Sequence, residues 1–151
     1  MDAIKMRVQR LRWAAVLPEY QSAGAACFDL AACLDEPEAR QVTIPPGGTF
    51  NLNTGLAVEV PAGHAMLIYS RSGHGFKNGV RLVNSVGVID SDYRGEIGVK
   101  LRNDSGEPFT VSNGQRIAQA MLVPIPFVTI CEAEELTNTE RGAGGFGSTG
   151  N

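Results

Sequence analysis

Residues 83–97 read VNSVGVIDSDYRGEI, and this stretch decides the class of fold. An apolar run from Val86 to Ile89 leads into Asp90-Ser91-Asp92, and alternation of apolar and charged residues begins after Gly95. Apolar runs that stop at Asp and Gly are typical of β-strands joined by turns. We therefore predict a β-hairpin whose mouth holds two carboxylates and Tyr93.

Strand-like runs recur on both sides of this stretch. Ile97, Val99 and Leu101 alternate with charged residues, as in a half-buried strand. Further apolar runs lie at Gly55 to Val60, Ala65 to Tyr69, Ile117 to Val123 and Ile125 to Ile130. Asn78-Gly79 and Asn113-Gly114 are turn signals, because glycine takes a positive φ readily. The pattern predicts an all-β sandwich or barrel.

The composition agrees with one folded domain. The chain has 151 residues, of which 43% are hydrophobic and 19% charged, the balance of a globular protein. Five of the last ten residues are glycine, which gives this segment a high conformational entropy. We predict a single domain over 1–151, with a β core over 1–136 and a mobile, glycine-rich C-terminal lid over 137–151.

Charge and cysteine content limit the partners and the location. The 13 Lys and Arg residues against 16 Asp and Glu residues give a net charge of -3, the wrong sign for bulk binding of nucleic acid or an anionic membrane. Three cysteines without a CxxC pair argue against a disulfide framework. The N-terminus lacks the hydrophobic stretch of a signal peptide, and no run approaches a membrane span. We expect a cytoplasmic protein with no nucleic-acid or membrane partner.

Residues 69–80, YSRSGHGFKNGV, form the first candidate site. They place Arg71 and several glycine amides at the end of an apolar strand. Such a turn can bind an oxyanion, or it can be an ordinary β-turn with solvated side chains. His64 and His74 are too isolated for a metal site or a Ser-His-Asp triad.

Asp90 is the second candidate. Because it directly follows an apolar strand, its carboxylate can be partly enclosed and can orient and deprotonate a water molecule. The alternative is an Asx-turn in which Asp90 bonds nearby amides. Gln119 beside Arg116, and Arg141 near the end, are ordinary surface residues taken singly, but with Arg71 they supply amides and cations suited to a polyphosphate.

Five segments in this order closely resemble the motifs of the trimeric deoxyuridine triphosphatases (dUTPases). They are AGAACFDLAA at 23–32, SRSGHGFKNGV at 70–80, NSVGVIDSDYRGEI at 84–97, GQRIAQAMLVPI at 114–125 and RGAGGFGSTG at 141–150. The resemblance implies a distorted jelly-roll (β-clip) barrel in a homotrimer. It also implies hydrolysis of dUTP to dUMP and pyrophosphate with Mg²⁺, by in-line attack of water on the α-phosphorus. This reaction limits uracil incorporation into DNA and supplies dUMP for thymidylate synthesis.

The same resemblance implies a role for each matching residue. Asp90 is expected to be the general base, and Asp29 to hold the metal through bound water. The phosphate chain is expected to contact Arg71, Ser72, Gly73 and Gln119. The uracil edge is expected to be read by Asn84 and by the backbone of Gly87, Val88 and Ile89.

The remaining roles concern the sugar and the tail. Tyr93 is expected to lie against the deoxyribose and to exclude a 2′-hydroxyl. Arg141, Gly147 and Ser148 are expected to cover the phosphates when the tail closes, and Phe146 to stack on the uracil. In the family the site is assembled from three subunits, so a monomer is expected to be inactive.

The chain departs from the family pattern at a few positions. Many relatives have proline at Ser70 and leucine at His74, and Cys27-Phe28 replaces a smaller or aliphatic pair. We interpret His74 as a surface histidine. Two alternatives stay open: a deoxycytidine triphosphate (dCTP) deaminase of the same superfamily, and a trimer that binds nucleotide without turnover.

Overall fold

The computed structural model describes residues 4–34 and 40–146. In these ranges the chain forms ten strands and one short helix. In chain order they are β1 (Arg7–Arg10), β2 (Phe28–Ala31), β3 (Gln41–Ile44), β4 (Thr49–Glu59), β5 (His64–Tyr69), α1 (Ser72–Asn78), β6 (Val80–Leu82), β7 (Val86–Ile89), β8 (Glu96–Asn103), β9 (Phe109–Ser112) and β10 (Arg116–Pro124).

The strands form two antiparallel four-stranded sheets and one two-stranded sheet. The first has the order β1-β4-β8-β6, the second β2-β10-β5-β7, and β3 pairs with β9. One buried cluster takes side chains from both large sheets, so the sheets pack face to face. Its most buried members include Leu30, Leu52, Met66, Ile68, Leu82, Ile97, Leu101 and Ile117. The predicted all-β jelly-roll class is confirmed.

Strand β8 shows how alternation specifies a buried face. Ile97, Val99 and Leu101 are buried, whereas Gly98 and Lys100 between them are exposed. Because side chains of a strand point alternately to its two faces, this pattern fixes which face of β8 joins the core.

The hairpin predicted for residues 83–97 is wrong. β7 pairs with β5, whereas β8 pairs with β4 and β6, so the two strands belong to different sheets. Residues 90–95 therefore cross from one sheet to the other. Alternation specifies a strand and its faces, but the partner of a strand is chosen by the packing of the whole core.

Two further local predictions are wrong. Residues 72–78 form α1 instead of a turn, and Gly79, with φ of 63°, ends the helix in the left-handed conformation. Glycine frequently ends a helix at this position. The positive φ of Gly79 was correctly predicted, but the helix that it ends was not. Residues 125–130 were also predicted to be a strand, but they are not one. They follow the end of β10 at Pro124, and their side chains are exposed.

Gly55 forms a bulge in β4, and its φ is +69°. A Cβ there would lie 2.8 Å from Ala15 Cβ and 2.9 Å from Cys33 Sγ. We expect Gly55→Ala to lower the free energy of unfolding by about 2–4 kcal/mol, since it combines a strained φ with overpacking. Urea denaturation measures this. Gly24→Ala, with no atom within 4 Å of the new Cβ, is the control, and equal stability of the two variants would contradict the prediction.

The three cysteines differ in exposure. Cys27, Cys33 and Cys131 are free thiols, although Cys131 is exposed rather than buried. Within the described ranges, no helix has the length and apolar character needed to span a bilayer.

Candidate active site

A cavity of about 530 Å³ opens between β6 and β7, and we call it the β6–β7 slot. It exists because β6 and β7 belong to different sheets and diverge. Ile68, Leu82 and Val99 give it an apolar wall. Four residues expected to read a base also line it, namely Asn84, Gly87, Val88 and Ile89.

The backbone of β7 is available to a ligand in this slot. β7 is the last strand of its sheet, so one of its edges keeps backbone N–H and C=O groups without a strand partner in the described fold. Gly87 faces Ile68 on β5, where an added Cβ would come within 3.2 Å of Ile68 Cβ. The slot is therefore narrow at Gly87 and offers polar groups along an apolar wall.

The connection from β6 to β7 is a tight turn. Val86 N–H donates to the carbonyl oxygen of Asn84 at 2.6 Å, and Ser85 has φ of 61°. A positive φ in a non-glycine residue is uncommon and is found where the surroundings impose it. This turn fixes Asn84 at the end of the slot.

Asp90 directly follows β7, with its side chain exposed. The local turn is closed by the backbone, because Tyr93 N–H donates to the Asp90 carbonyl oxygen at 3.2 Å. Asp90 lines a recess of about 380 Å³, which we call the Asp90 recess, together with His64, Asp92 and Phe127. The Asx-turn alternative does not describe this geometry, because the carboxylate is not the group that closes the turn.

Tyr93 is held over Gly95. Its hydroxyl donates to the Glu96 carbonyl oxygen at 3.1 Å, and a Cβ on Gly95 would lie 2.3 Å from the Tyr93 oxygen. Arg94 bonds the carbonyl oxygens of Ser91 and Tyr93 and closes the loop around the ring. Only glycine at position 95 allows Tyr93 this place.

Asp29 joins two arginines into what we call the arginine cluster: Arg71, Asp29 and Arg116. Arg71 Nε donates to Asp29 Oδ1 and Arg116 Nη1 to Asp29 Oδ2, both at 3.0 Å. The Asp29 side chain is only 11% exposed. Charge-assisted hydrogen bonds hold the two guanidinium groups firmly to this carboxylate. Because two positive charges meet one negative charge, the cluster has a net positive charge.

Gln119 completes this side of the molecule. Gln119 lies between Asp29 and Tyr69 in the sheet, and its Nε2 donates to the Ser70 carbonyl oxygen at 2.9 Å. A recess of about 430 Å³ is lined by Arg71, Ser72, Gln119 and neighbouring residues. It also contains Phe76, whose exposed fraction is 94%. The sequence analysis predicted neither the place of Phe76 in this recess nor the contact between Arg116 and Asp29. No pattern among neighbouring residues indicates either feature.

Cys27 adds no reactive group to this region. Burial first, and the negative charge of Asp29 second, raise the pKa of the Cys27 thiol above its usual value. The thiol therefore stays protonated at neutral pH, and this departure from the family pattern introduces no nucleophile.

The Asp90 recess and the arginine cluster lie at opposite ends of β5. Ile89 pairs with Met66, which places Asp90 opposite Ala65, and Arg71 follows six positions beyond Ala65. At about 3.3 Å per residue the two sites are on the order of 20 Å apart. One chain does not bring Asp90 and Arg71 to the same small molecule.

The described part of the tail forms hydrogen bonds within itself. Arg141 Nε donates to the Gly144 carbonyl oxygen at 2.8 Å, within the tail itself, and Phe146 is fully exposed. Gly147 and Ser148 lie outside the described residues.

Fold and site together define a class: a jelly-roll protein with an apolar slot beside a free strand edge and a separate recess next to an arginine cluster. The dUTPase family model matches residues 14–150. The chain belongs to the dUTPase family, as its five motifs predicted.

Curated relatives agree over nearly the whole chain. A deoxyuridine 5'-triphosphate nucleotidohydrolase of Nautilia profundicola is 47% identical over 147 residues, covering 97% of this chain and 99% of the relative. The enzyme of that name from Neisseria meningitidis serogroup B is 48% identical over 149 residues, covering 97% and 96%. A solved structure, Staphylococcus bacteriophage 80alpha dUTPase with dUPNHPP, superposes with a TM-score of 0.86 at 26% identity, covering 99% of this chain and 100% of that one.

Proposed function

We propose that this chain hydrolyses dUTP to dUMP and pyrophosphate. The observation that carries the proposal is the β6–β7 slot, which extends from Asn84 along the free edge of β7 to Ile89, the residue before Asp90. A base in the slot places its sugar and first phosphate near that carboxylate.

The slot selects uracil through its polar groups. The Asn84 amide and the free edge of β7 offer donors and acceptors that match the uracil edge. Cytosine reverses one donor and one acceptor, and an unmatched buried polar group costs about 1–3 kcal/mol. Tyr93 packs against the deoxyribose and leaves no space for a 2′-hydroxyl.

The chemistry requires one base and several groups that hold the phosphates. Asp90 accepts a proton from a water molecule while the water oxygen bonds to the α-phosphorus. The bond from this phosphorus to the bridging oxygen breaks, and pyrophosphate leaves with the electron pair. Arg71, Ser72, Gly73 and Gln119 align the phosphate chain, which is what phosphoryl transfer chiefly requires of a protein.

Asp29 is suited to a metal only through water. Both of its carboxylate oxygens accept an arginine N–H at 3.0 Å, and the described residues contain no cluster of three or more His, Cys, Asp or Glu that could enclose an ion. Each oxygen keeps one lone pair for a metal-bound water, in agreement with the preference of Mg²⁺ for water and phosphate oxygens. Mg²⁺, when bound, supplies positive charge to the triphosphate.

We further propose that three copies assemble the site. Asp90 of one subunit meets Arg71 of a second, which removes the separation of about 20 Å within one chain. The exposed apolar side chains of Phe127, Val128, Ile130 and Leu136, after β10, support this assembly because they are without cover in the single chain. Arg141, Phe146, Gly147 and Ser148 then belong to a lid formed by residues 137–151 over the β core 1–136 of a single domain.

The decisive experiment incubates the purified protein with Mg²⁺ and separately with dUTP, dCTP and UTP, and resolves the products. We expect pyrophosphate and dUMP from dUTP only. A deoxyuridine nucleotide from dCTP would identify a deaminase instead. Binding of dUTP without any product would identify a nucleotide-binding trimer.

Gly95→Ala tests the role of Tyr93 without removing the side chain. The new Cβ would lie 2.3 Å from the Tyr93 oxygen, so the ring must give up its hydrogen bond to the Glu96 carbonyl oxygen. Because the Tyr93 side chain is exposed, the expected loss of stability is small. We expect KM for dUTP to rise about tenfold, or about 1.4 kcal/mol, and the preference over UTP to fall.

Steady-state kinetics with both nucleotides measure the effect of Gly95→Ala. Gly106→Ala, with no atom within 4 Å of the new Cβ, is the matched control. If Gly95→Ala kept the wild-type preference for dUTP over UTP, Tyr93 would have no part in excluding the 2′-hydroxyl.

A further inference from the structure

His74 is not a free surface histidine, which corrects the interpretation from sequence. The residue is half-buried in α1, and its ring contacts the Phe109 ring edge-on at 5.2 Å between centroids. Its Nε2 lies 2.8 Å from the carbonyl oxygen of Arg116. The proposed reaction uses none of these contacts.

The Arg116 carbonyl fixes the tautomer of His74. A carbonyl oxygen only accepts hydrogen bonds, so Nε2 of His74 carries the proton. Arg71 Nη1 donates to the same oxygen at 3.3 Å. The oxygen has two lone pairs, and the two side chains at the start of α1 share them.

These contacts close a ring of hydrogen bonds around Arg71. Its Nε donates to Asp29 and its Nη1 donates to the Arg116 carbonyl oxygen. The Arg116 guanidinium in turn donates to Asp29. The guanidinium is planar, so fixing two of its nitrogens fixes the direction of Nη2. The direction of the Nη2 N–H groups is therefore fixed before a ligand binds.

We propose that His74 is a positioning residue that sets Arg71 for the phosphate chain of the substrate. It anchors the first turn of α1 to β9 through Phe109 and to β10 through the Arg116 carbonyl. Both contacts keep Arg71 in one orientation and reduce the entropy lost when phosphate binds. The inference rests on the proposed function, because it takes Arg71 as a phosphate ligand.

The test compares two variants and two probe ligands. His74→Leu keeps an apolar contact with Phe109 and removes the donor, whereas His74→Gln restores an N–H at similar reach. Pyrophosphate probes the phosphate side alone, and deoxyuridine probes the β6–β7 slot alone. We expect His74→Leu to weaken inhibition by pyrophosphate about five- to tenfold and to raise KM for dUTP by a similar factor, with kcat and deoxyuridine inhibition changed less than about twofold.

His74→Gln is expected to recover most of the pyrophosphate affinity. Unchanged pyrophosphate inhibition in His74→Leu, or equal weakening of both probes, would overturn the proposal, and so would a glutamine variant as weak as the leucine one. If His74→Leu does not fold, His74→Asn, whose amide is too short to reach the carbonyl, takes its place. Failure of the wild-type protein to hydrolyse dUTP would instead refute the proposed function, and the two failures are thus distinct.

Discussion

Asp90→Asn is expected to lower kcat for dUTP about 1,000-fold, within the range that a positioned general base contributes. Asparagine has nearly the same shape as aspartate, but its amide does not accept a proton from water. Because the Asp90 side chain is exposed and the local turn is closed by the backbone, the substitution disturbs no bond that maintains the fold. The affinity for a non-hydrolysable dUTP analogue is expected to stay within about threefold.

Asp92→Asn is the matched control for this variant. Asp92 lies two residues further on and lines the same recess, so its loss tests whether any nearby carboxylate suffices. We expect kcat within about threefold of wild type. Single-turnover measurements and analogue titration separate chemistry from binding. Near-normal kcat in Asp90→Asn, or an equal loss in Asp92→Asn, would refute Asp90 as the base.

Mixing two inactive variants extends the same test to the assembly. Asp90→Asn has an intact Arg71, and Arg71→Ala has an intact Asp90. If each site takes these residues from different subunits, trimers refolded from an equal mixture should recover about one quarter of wild-type activity, since each required subunit is correct half of the time. A site contained within one chain would recover nothing.

The sequence was a good guide to features that depend on neighbouring residues. Alternation in β8 specified the buried face of Ile97, Val99 and Leu101, and the end of an apolar run located Asp90. Gly79 took the positive φ that its type favours. These features follow from the local chain, and the structure agrees with them.

Features that depend on distant residues were not predictable from one sequence. β7 and β8 pair with strands far away in the chain, so their hairpin was a wrong prediction. Asp29 contacts Arg71 and Arg116 only because β2, β5 and β10 lie side by side. The motif resemblance assigned Asp29 and Arg71 to one site, but it gave neither the part played by Arg116 nor the hydrogen bonds that hold these residues there.

The C-terminal tail is not part of the core sheets. Strand β10 ends at Pro124, and the described bond of Arg141 is made within the tail. Removing residues 141–151 therefore leaves the two sheets and the apolar stretch after β10 intact. The tail should influence the reaction by covering the bound nucleotide, excluding water and adding the stacking of Phe146.

We expect truncation after Glu140 to lower kcat/KM for dUTP at least 100-fold, because the lid aligns the phosphates and is part of the proximity effect. The oligomeric mass from light scattering and the thermal midpoint are expected to match those of the full chain. Phe146→Ala, which keeps Arg141, serves as the intermediate variant, with an expected loss of about tenfold from the missing ring stacking. Full activity of the truncated protein would contradict a lid formed by this segment. Dissociation of the truncated protein into monomers would show that the segment holds the assembly together, and the loss of activity would then have a different cause.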